Sequence, residues 1–227
     1  MIVFTLVVLI TASIGVGFMW VNKFISSVYF QKSEVSLMGS VPDIQSAQNY
    51  ATKAIYFSPS TENLRLYSNI HLIRPLQLIN KIGGIVPENQ ITDEIRFDIN
   101  KAFQSAQYAA VGKKASFDYQ DWIQFGRVSE AATFLGSTST ADVAVKSYAQ
   151  ASILAPNNPT PLFLLGRMFV YAGKKDIAQQ YLEKAIELKP DFSEAISILQ
   201  SIDGKDNIEV KPTLVSSSTP AEVKNKK

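Results

Sequence analysis

The first apolar pattern in the chain is an uninterrupted run at its amino terminus. The segment Ile2 to Val21 holds twenty residues without a charge, and Asn22 and Lys23 follow it. A helix rises about 1.5 Å per residue, so a run of this length spans roughly 30 Å, the thickness of the apolar core of a bilayer. Trp20 lies near one end, where an aromatic ring is expected at the membrane interface. The run therefore predicts a transmembrane helix within residues 1–23.

Other interpretations of this run stay open. A cleaved signal peptide is one, although no cationic segment precedes the run and no Ala-x-Ala site follows it. A core helix of a soluble protein is another, for which the run is long. Because the run begins at residue 2, a further alternative is that the chain is the carboxyl-terminal part of a longer membrane protein. Lys23 and Lys32 after the run favour a cytoplasmic side for the rest of the chain.

Beyond the apolar run, small and apolar residues recur at fixed spacing. The clearest unit runs from Pro159 to Phe192. Its marked positions are Leu162, Leu165, Gly166, Phe169, Gly173, Ala178, Leu182, Ala185 and Pro190. Small residues are needed where two helices cross closely, glycine adopts the positive φ that ends a helix, and proline stops one. The unit therefore predicts two helices joined by a turn.

The spacing of the second half of this unit, small-x3-large-x2-Ala-x4-Pro, is met three more times. The matching sets are Ala144, Tyr148, Ala151, Pro156; Ala47, Ala51, Ala54, Pro59; and Ala102, Ala106, Ala109, Lys114, the last without the proline. Equal spacing at four places predicts four helical hairpins. Trp122, Phe125 and Gly126 mark the first helix of the third hairpin, and residues 136–140 form an enlarged turn within it.

Turn and capping residues indicate the remaining helices. The second hairpin begins with a helix from about Thr61 to Ile82, which Pro75 should kink, and Thr92 caps its second helix. The first hairpin uses about Phe24 to Met38 and then a helix from Pro42 to Phe57.

These elements predict an all-α protein, with an N-terminal transmembrane helix followed by a stack of helical hairpins. The predicted divisions are residues 1–23 for the transmembrane helix, 24–116 for two degenerate hairpins, 117–158 for the hairpin with the enlarged turn, 159–192 for the well-matched hairpin, 193–204 for a capping helix and 205–227 for a disordered tail. The capping helix places Ala195, Ile196 and Leu199 on one face and ends at Gly204, which closes the last apolar surface of the stack. The tail is rich in Ser, Thr, Pro and Lys.

The unit at residues 159–192 resembles the tetratricopeptide repeat, a helix-turn-helix of about 34 residues. Leu162 stands where that family usually has Trp, and Leu182 where it has a large aromatic residue. The resemblance implies a right-handed superhelical stack whose first helices line a concave groove. By register with the family, the groove is lined by Gln120, Ile123, Arg127, Glu130 and Ala131 of the third hairpin and by Thr160, Phe163, Arg167, Val170 and Tyr171 of the fourth.

The chemistry expected in this groove centres on two arginines. Arg127 and Arg167 fall at the same repeat position, so the resemblance places both guanidinium groups in one groove, with Phe163 and Tyr171 beside them. Arginine binds a carboxylate or phosphate on a peptide, and aromatic rings supply an apolar contact surface. The alternative is that Arg127 pairs with Glu130 one turn away and that Arg167 is a solvated helix residue.

Composition and charge exclude several classes of function. The 227 residues include no cysteine and a single histidine, so disulfides, cysteine nucleophiles and Cys/His zinc sites are impossible. A net charge of +2, from 22 basic and 20 acidic side chains, argues against a nucleic-acid partner. The sequence has no Gly-rich phosphate loop, no Gly-x-Ser-x-Gly and no His-Glu-x-x-His. We therefore expect no catalytic residues, no cofactor and no metal.

Three ionisable side chains are of a type that could take part in catalysis. Asp118 and Asp121 lie at a helix start, where the helix dipole favours acidic residues, so capping is the expected role and not acid–base chemistry. His71 lies between Ile70 and Leu72 without an ionisable partner nearby in sequence, so we expect a structural histidine.

The sequence thus predicts a non-catalytic scaffold, anchored in the cell membrane as a single-pass protein through residues 2–21, that binds a protein or peptide in its groove. The segments VYF after the apolar run, NLRLYSNIHL and FDYQDWIQFGRVSEAATFLG resemble the carboxyl-terminal region of O-antigen ligase or polymerase-type bacterial membrane proteins. That resemblance implies the alternative of an accessory module in the assembly of cell-surface polysaccharide, without the polytopic core in which the family's glycan chemistry would reside. A soluble or secreted form is a third alternative.

Overall fold

The computed structural model describes residues 2–38, 41–112 and 115–202, with the side chains of the first helix described from residue 11 onwards. Regular structure in these ranges is entirely helical, so the prediction of an all-α protein is confirmed. The helices are α1 Ile2–Leu37, α2 Ile44–Phe57, α3 Thr61–Ile82, α4 Asp93–Val111, α5 Tyr119–Phe134, α6 Thr140–Leu154, α7 Pro159–Tyr171, α8 Lys175–Leu188 and α9 Ser193–Ile202, with a short 3-10 helix at Glu88–Gln90.

Consecutive helices pack as pairs. Helix α1 packs on α2, α3 on α4, α5 on α6 and α7 on α8, and each pair contacts the next along the chain. The connection between α7 and α8 spans only residues 172–174, and so short a connection makes the two helices run back on each other. Helix α9 packs on α8 and covers the end of the stack.

The residues that begin and end the helices explain most of these bounds. The Thr92 hydroxyl accepts a hydrogen bond from the backbone N–H of Ile95 and begins α4, which confirms the predicted cap. Gly173 has a φ of 70° just beyond α7, which confirms the predicted turn. Asp43 caps α2, one residue after the proline expected to start it. Helix α3 continues through the buried Pro75.

Small residues set the distance between the helices of a pair. A Cβ atom added at Gly126 of α5 would lie 2.4 Å from the ring of Tyr148 in α6. A Cβ atom added at Gly166 of α7 would lie 2.7 Å from Leu182 in α8. The regularly spaced alanines are all buried, namely Ala47, Ala51, Ala54, Ala102, Ala106, Ala109, Ala144, Ala151, Ala178 and Ala185. The regularly spaced small residues of the sequence are therefore the positions at which helices approach each other closely.

The apolar core runs along the stack in three parts. One part, which includes Ala51 and Ile70, joins α2 to α3. A larger part around Leu72 and Phe125 joins α3, α4 and α5. The third, around Leu165, joins α6, α7, α8 and α9. Each hairpin thus buries apolar surface against its neighbours, as a stack of repeats requires.

The membrane prediction for the amino terminus needs correction. Among the residues that the structure describes, no helix is both long and apolar enough to cross a membrane. Helix α1 continues without a break to Leu37, so it takes in all but the last residue of the stretch Phe24 to Met38 that was expected to follow a separate transmembrane helix. Its described side chains turn polar at Asn22 and Lys23, and Ser26 and Ser33 bond to α2. The expected single-pass location in the cell membrane is therefore wrong, and the expected bilayer contact of residues 2–21 has no support.

Three expectations fall on residues outside the described ranges. These are the tail at residues 205–227, the end of the capping helix at Gly204 and the position of Lys114 in the repeated spacing.

Replacing Gly126 with alanine should destabilise the protein, because the added methyl group meets the buried ring of Tyr148. Overpacking of this kind costs about 1–3 kcal/mol, so we expect the free energy of unfolding, measured by urea denaturation, to fall by that amount. Gly84→Ala is the matched control, since a Cβ atom there has no neighbour within 4 Å. That control should change stability by less than about 0.5 kcal/mol. Equal stabilities of the two variants would contradict the close approach of α5 and α6.

Candidate functional site

Three buried carboxylates connect neighbouring hairpins of the stack, one at each junction. Asp98 of α4 accepts a hydrogen bond from Gln48 of α2, and Asp121 of α5 accepts one from Arg65 of α3. Glu130 of α5 bonds to the fourth hairpin. A buried charge is costly unless it is paired and hydrogen-bonded. Each junction therefore depends on the correct partner from the neighbouring hairpin.

The junction of the third and fourth hairpins contains the residues predicted for the groove. Arg167 of α7 donates from Nη2 to Glu130 Oε2 over 2.7 Å, and the phenol of Tyr148 donates to the same oxygen over 2.7 Å. Glu130 is fully buried and Arg167 is only 4% exposed. One carboxylate thus ties together α5, α6 and α7.

Burial and the carboxylate of Glu130 shift the pKa values of the side chains in this network. Burial is the largest single influence on Arg167 and opposes its charge, but Glu130, Tyr148 and Tyr171 together outweigh burial and raise the pKa of Arg167 above its usual value. Burial, followed by the charge of Glu130, raises the pKa of Tyr148 well above its ordinary range. Arg167 therefore stays charged, and Tyr148 stays a neutral donor to the carboxylate.

The structure also places Arg127 in this network. Burial lowers the pKa of Arg127, which is influenced electrostatically by Tyr148, Arg167 and Glu130. Both predicted arginines therefore interact electrostatically with one carboxylate. The sequence suggested either that Arg167 binds an anion of the ligand or that it is solvated. In the structure its guanidinium group instead donates a hydrogen bond to Glu130 of the preceding hairpin.

Two aromatic residues complete the site. The ring of Phe163 lies 5.7 Å from the guanidinium carbon of Arg167 and belongs to the apolar core. The ring of Tyr171 packs edge-on against Phe134, with centroids 5.1 Å apart. Burial raises the pKa of Tyr171 above its usual value, an effect that Arg167 opposes. Within the described part of the chain, the buried atoms Tyr171 Oη and Glu130 Oε1 have no hydrogen-bond partner.

The residues predicted for the groove differ in their exposure. Gln120 and Thr160 are exposed, and Ile123, Arg127, Val170 and Tyr171 are partly exposed. Those that are buried are Glu130, Ala131, Phe163 and Arg167.

The two aspartates at the start of α5 have different roles. Asp118 accepts a hydrogen bond from the backbone N–H of Gln120 and caps the helix, as predicted. Asp121 is fully buried and forms an ion pair of 2.7 Å with Arg65. Burial raises the pKa of Asp121, whereas Ser116 and Arg65 oppose that shift. Capping is thus correct for Asp118, but Asp121 is a cross-link between hairpins.

His71 is buried, and its partner comes from another helix. Its Nδ1 atom lies 2.7 Å from Oδ1 of Asp98, which also pairs with Arg74. Burial lowers the pKa of His71, and Asp98 opposes that shift. The sequence could not identify Asp98, because the two residues are 27 positions apart and meet only when α3 packs on α4.

Sequence reasoning also missed a cavity of about 430 Å³ beside α1 and the start of α3. Its polar lining includes Gln31, Glu34, Glu62 and Asn63. Burial and the charge of Glu62 raise the pKa of Glu34. In the described residues no three His, Cys, Asp or Glu side chains are grouped so that they could hold a metal ion.

Comparison with known proteins identifies the fold but not a family. No family model and no curated protein matches the chain. Among solved structures, MamA protein is 17% identical with a TM-score of 0.54, and the match covers 82% of this chain and 86% of MamA. The stacked hairpins have the tetratricopeptide-repeat fold, which confirms that part of the prediction. The resemblance to O-antigen ligases has no support from these comparisons.

Two other solved structures align less well. The Yersinia enterocolitica type III secretion chaperone SycD, in complex with a peptide of the translocator YopD, is 21% identical with a TM-score of 0.40, covering 58% of this chain and 95% of SycD. YrrB, a TPR protein with an unusual peptide-binding site, is 16% identical with a TM-score of 0.38, and the match covers 75% of this chain and 89% of YrrB.

A double-mutant cycle tests the link between the third and fourth hairpins. Glu130→Gln removes the carboxylate charge that faces the buried Arg167, and Arg167→Met removes the guanidinium charge that faces the buried Glu130. We expect each to lower the free energy of unfolding by about 3–5 kcal/mol, and the double variant to lose clearly less than the sum. Glu88→Gln, which removes an exposed pair with Arg96, should change stability by less than about 1 kcal/mol. Additive losses at Glu130 and Arg167 would refute the buried pair.

Proposed function

We propose that this protein is a non-catalytic scaffold that binds a peptide segment of a partner protein along α5 and α7. In this proposal the more exposed side chains touch the partner, namely Gln120, Ile123, Arg127, Thr160 and Tyr171. The buried ones form the floor, namely Glu130, Phe163 and Arg167. The tetratricopeptide fold supports it, because stacked hairpins present an extended surface that suits a peptide.

The observation that carries the proposal is the pair of buried acceptor atoms Glu130 Oε1 and Tyr171 Oη, which lack a donor in the described residues. A buried polar atom without a partner costs about 1–3 kcal/mol, so a ligand that displaces the covering side chains and supplies a donor regains part of that energy. A peptide backbone offers an N–H at nearly every residue. Arg127, which is partly exposed on the same surface, favours a peptide that also carries an acidic group.

The bonding of the ionisable side chains supports a scaffold over an enzyme. His71 is held by Asp98, Asp121 by Arg65 and Glu130 by Arg167, and in each case the contact joins helices of the fold. Groups committed to such contacts stabilise the stack and are poorly placed to exchange protons with a substrate. No side-chain cluster in the described residues favours the alternative role in polysaccharide assembly.

Site-specific photo-crosslinking in the native host tests the proposal. A benzophenone amino acid replaces Gln120 or Thr160, which are exposed on α5 and α7, and in control proteins it replaces Gln104 or Lys184, which are exposed on α4 and α8. We expect the first two positions to crosslink the same segment of one protein and the control positions to leave it unlabelled.

The crosslinked segment, made as a synthetic peptide, then provides a binding measurement. Thr160→Arg should weaken its binding at least about tenfold by blocking the surface, a loss of about 1.4 kcal/mol, whereas Gln104→Arg should leave it unchanged. Equal labelling from α4 and α8, or equal affinity of the two variants, would show that α5 and α7 do not form the site.

A further inference from the structure

Aromatic rings stack across the two helices of the first hairpin. Tyr29 of α1 stacks on Tyr50 of α2, with centroids 6.2 Å apart, and on Phe57 of α2, at 5.9 Å. Tyr56, which is 82% exposed, packs edge-on against Phe57. None of these rings belongs to the apolar clusters that join one hairpin to the next. Their packing therefore shapes the surface of the first hairpin and not its junction with the second.

Two exposed lysines lie over the same rings. Lys32 Nζ is 5.9 Å from the centroid of Tyr29 and 5.8 Å from that of Tyr50. Lys53 Nζ is 5.4 Å and 6.0 Å from the same two centroids. The negative face of an aromatic ring attracts an ammonium group at such distances. The stacked rings therefore hold two positive charges in one place.

These two charges lack an ion-pair partner in the part of the chain that the structure describes. Helix α2 contains no Asp or Glu, and the described part of α1 contains only Glu34. Glu34 lines the cavity that Glu62 and Lys23 also line. An anion that binds between the lysines relieves their mutual repulsion.

We propose that Tyr29, Lys32, Tyr50, Lys53 and Tyr56, here called the lysine–tyrosine patch, bind an acidic segment of a partner protein. Carboxylates two residues apart on an extended segment lie about 6–7 Å from each other, which suits two ammonium groups placed over the same pair of rings. The exposed ring of Tyr56 offers apolar contact beside them. The patch lies on α1 and α2, so it is separate from the surface proposed on α5 and α7.

A nucleic acid fits this patch less well. Tyr29 uses its ring faces to stack on Tyr50 and Phe57, and those faces are what unpaired bases require. The net charge of +2 over 227 residues also provides little general attraction for phosphates.

Fluorescence anisotropy of the full chain with labelled octaglutamate tests the patch at low ionic strength. The double variant Lys32→Gln/Lys53→Gln should weaken binding about tenfold, because it removes two exposed charge contacts. The double variant Lys81→Gln/Lys184→Gln removes the same charge from exposed lysines elsewhere and should bind as the unchanged protein does. Lys32→Arg/Lys53→Arg should retain binding.

Equal affinities of the two glutamine double variants, or an absence of octaglutamate binding by the unchanged protein, would overturn the proposal. Tighter binding of an oligothymidylate of equal charge, lost in the Lys32→Gln/Lys53→Gln variant, would overturn it in favour of nucleic acid. Peptide binding on α5 and α7 should be unaffected by these substitutions. Failure at the patch is therefore distinguishable from failure of the groove.

Discussion

The close approach of paired helices at glycine and alanine is the constraint on which the rest of the structure depends. Gly126 has no side chain, so the ring of Tyr148 lies directly against α5. From that position its phenol reaches Glu130, one turn further along the same helix, and the same carboxylate oxygen accepts from Arg167. A packing requirement within one hairpin thus positions the acid that binds the next hairpin.

Buried carboxylates specify how each hairpin packs on the next. Removing these carboxylates from water costs free energy. Asp98, Asp121 and Glu130 are each removed from water, and each is compensated by a partner on another helix. Well-packed apolar residues often stabilise a protein as much as such ion pairs do. Removing one member of a buried pair, however, is strongly destabilising. Only an arrangement of hairpins that satisfies all three acids avoids that penalty. The same bonds leave Glu130 Oε1 and Tyr171 Oη without donors in the described residues, which is the basis for the proposed peptide site.

Local pattern predicted the helices, whereas contacts between hairpins could not be predicted from it. Alanines at equal spacing and the cap at Thr92 are properties of one helix or one turn, and the structure confirms the all-α fold that they imply. The pair of Arg65 and Asp121 spans 56 positions and that of Arg167 and Glu130 spans 37, so each exists only after hairpins stack. Hydropathy indicated a helix at the amino terminus correctly, but it does not report the surroundings of that helix, and the membrane location inferred from it was wrong.

The buried carboxylate of Glu130 holds α5, α6 and α7 together. An NMR titration of a ¹³Cζ-labelled tyrosine resonance, assigned with Tyr148→Phe, tests this link most directly. Burial and the carboxylate raise the pKa of Tyr148 well above 10, so its resonance should remain that of the neutral phenol at pH 10. A resonance half-way to the phenolate value at pH 10 would show a solvated phenol and would contradict the account.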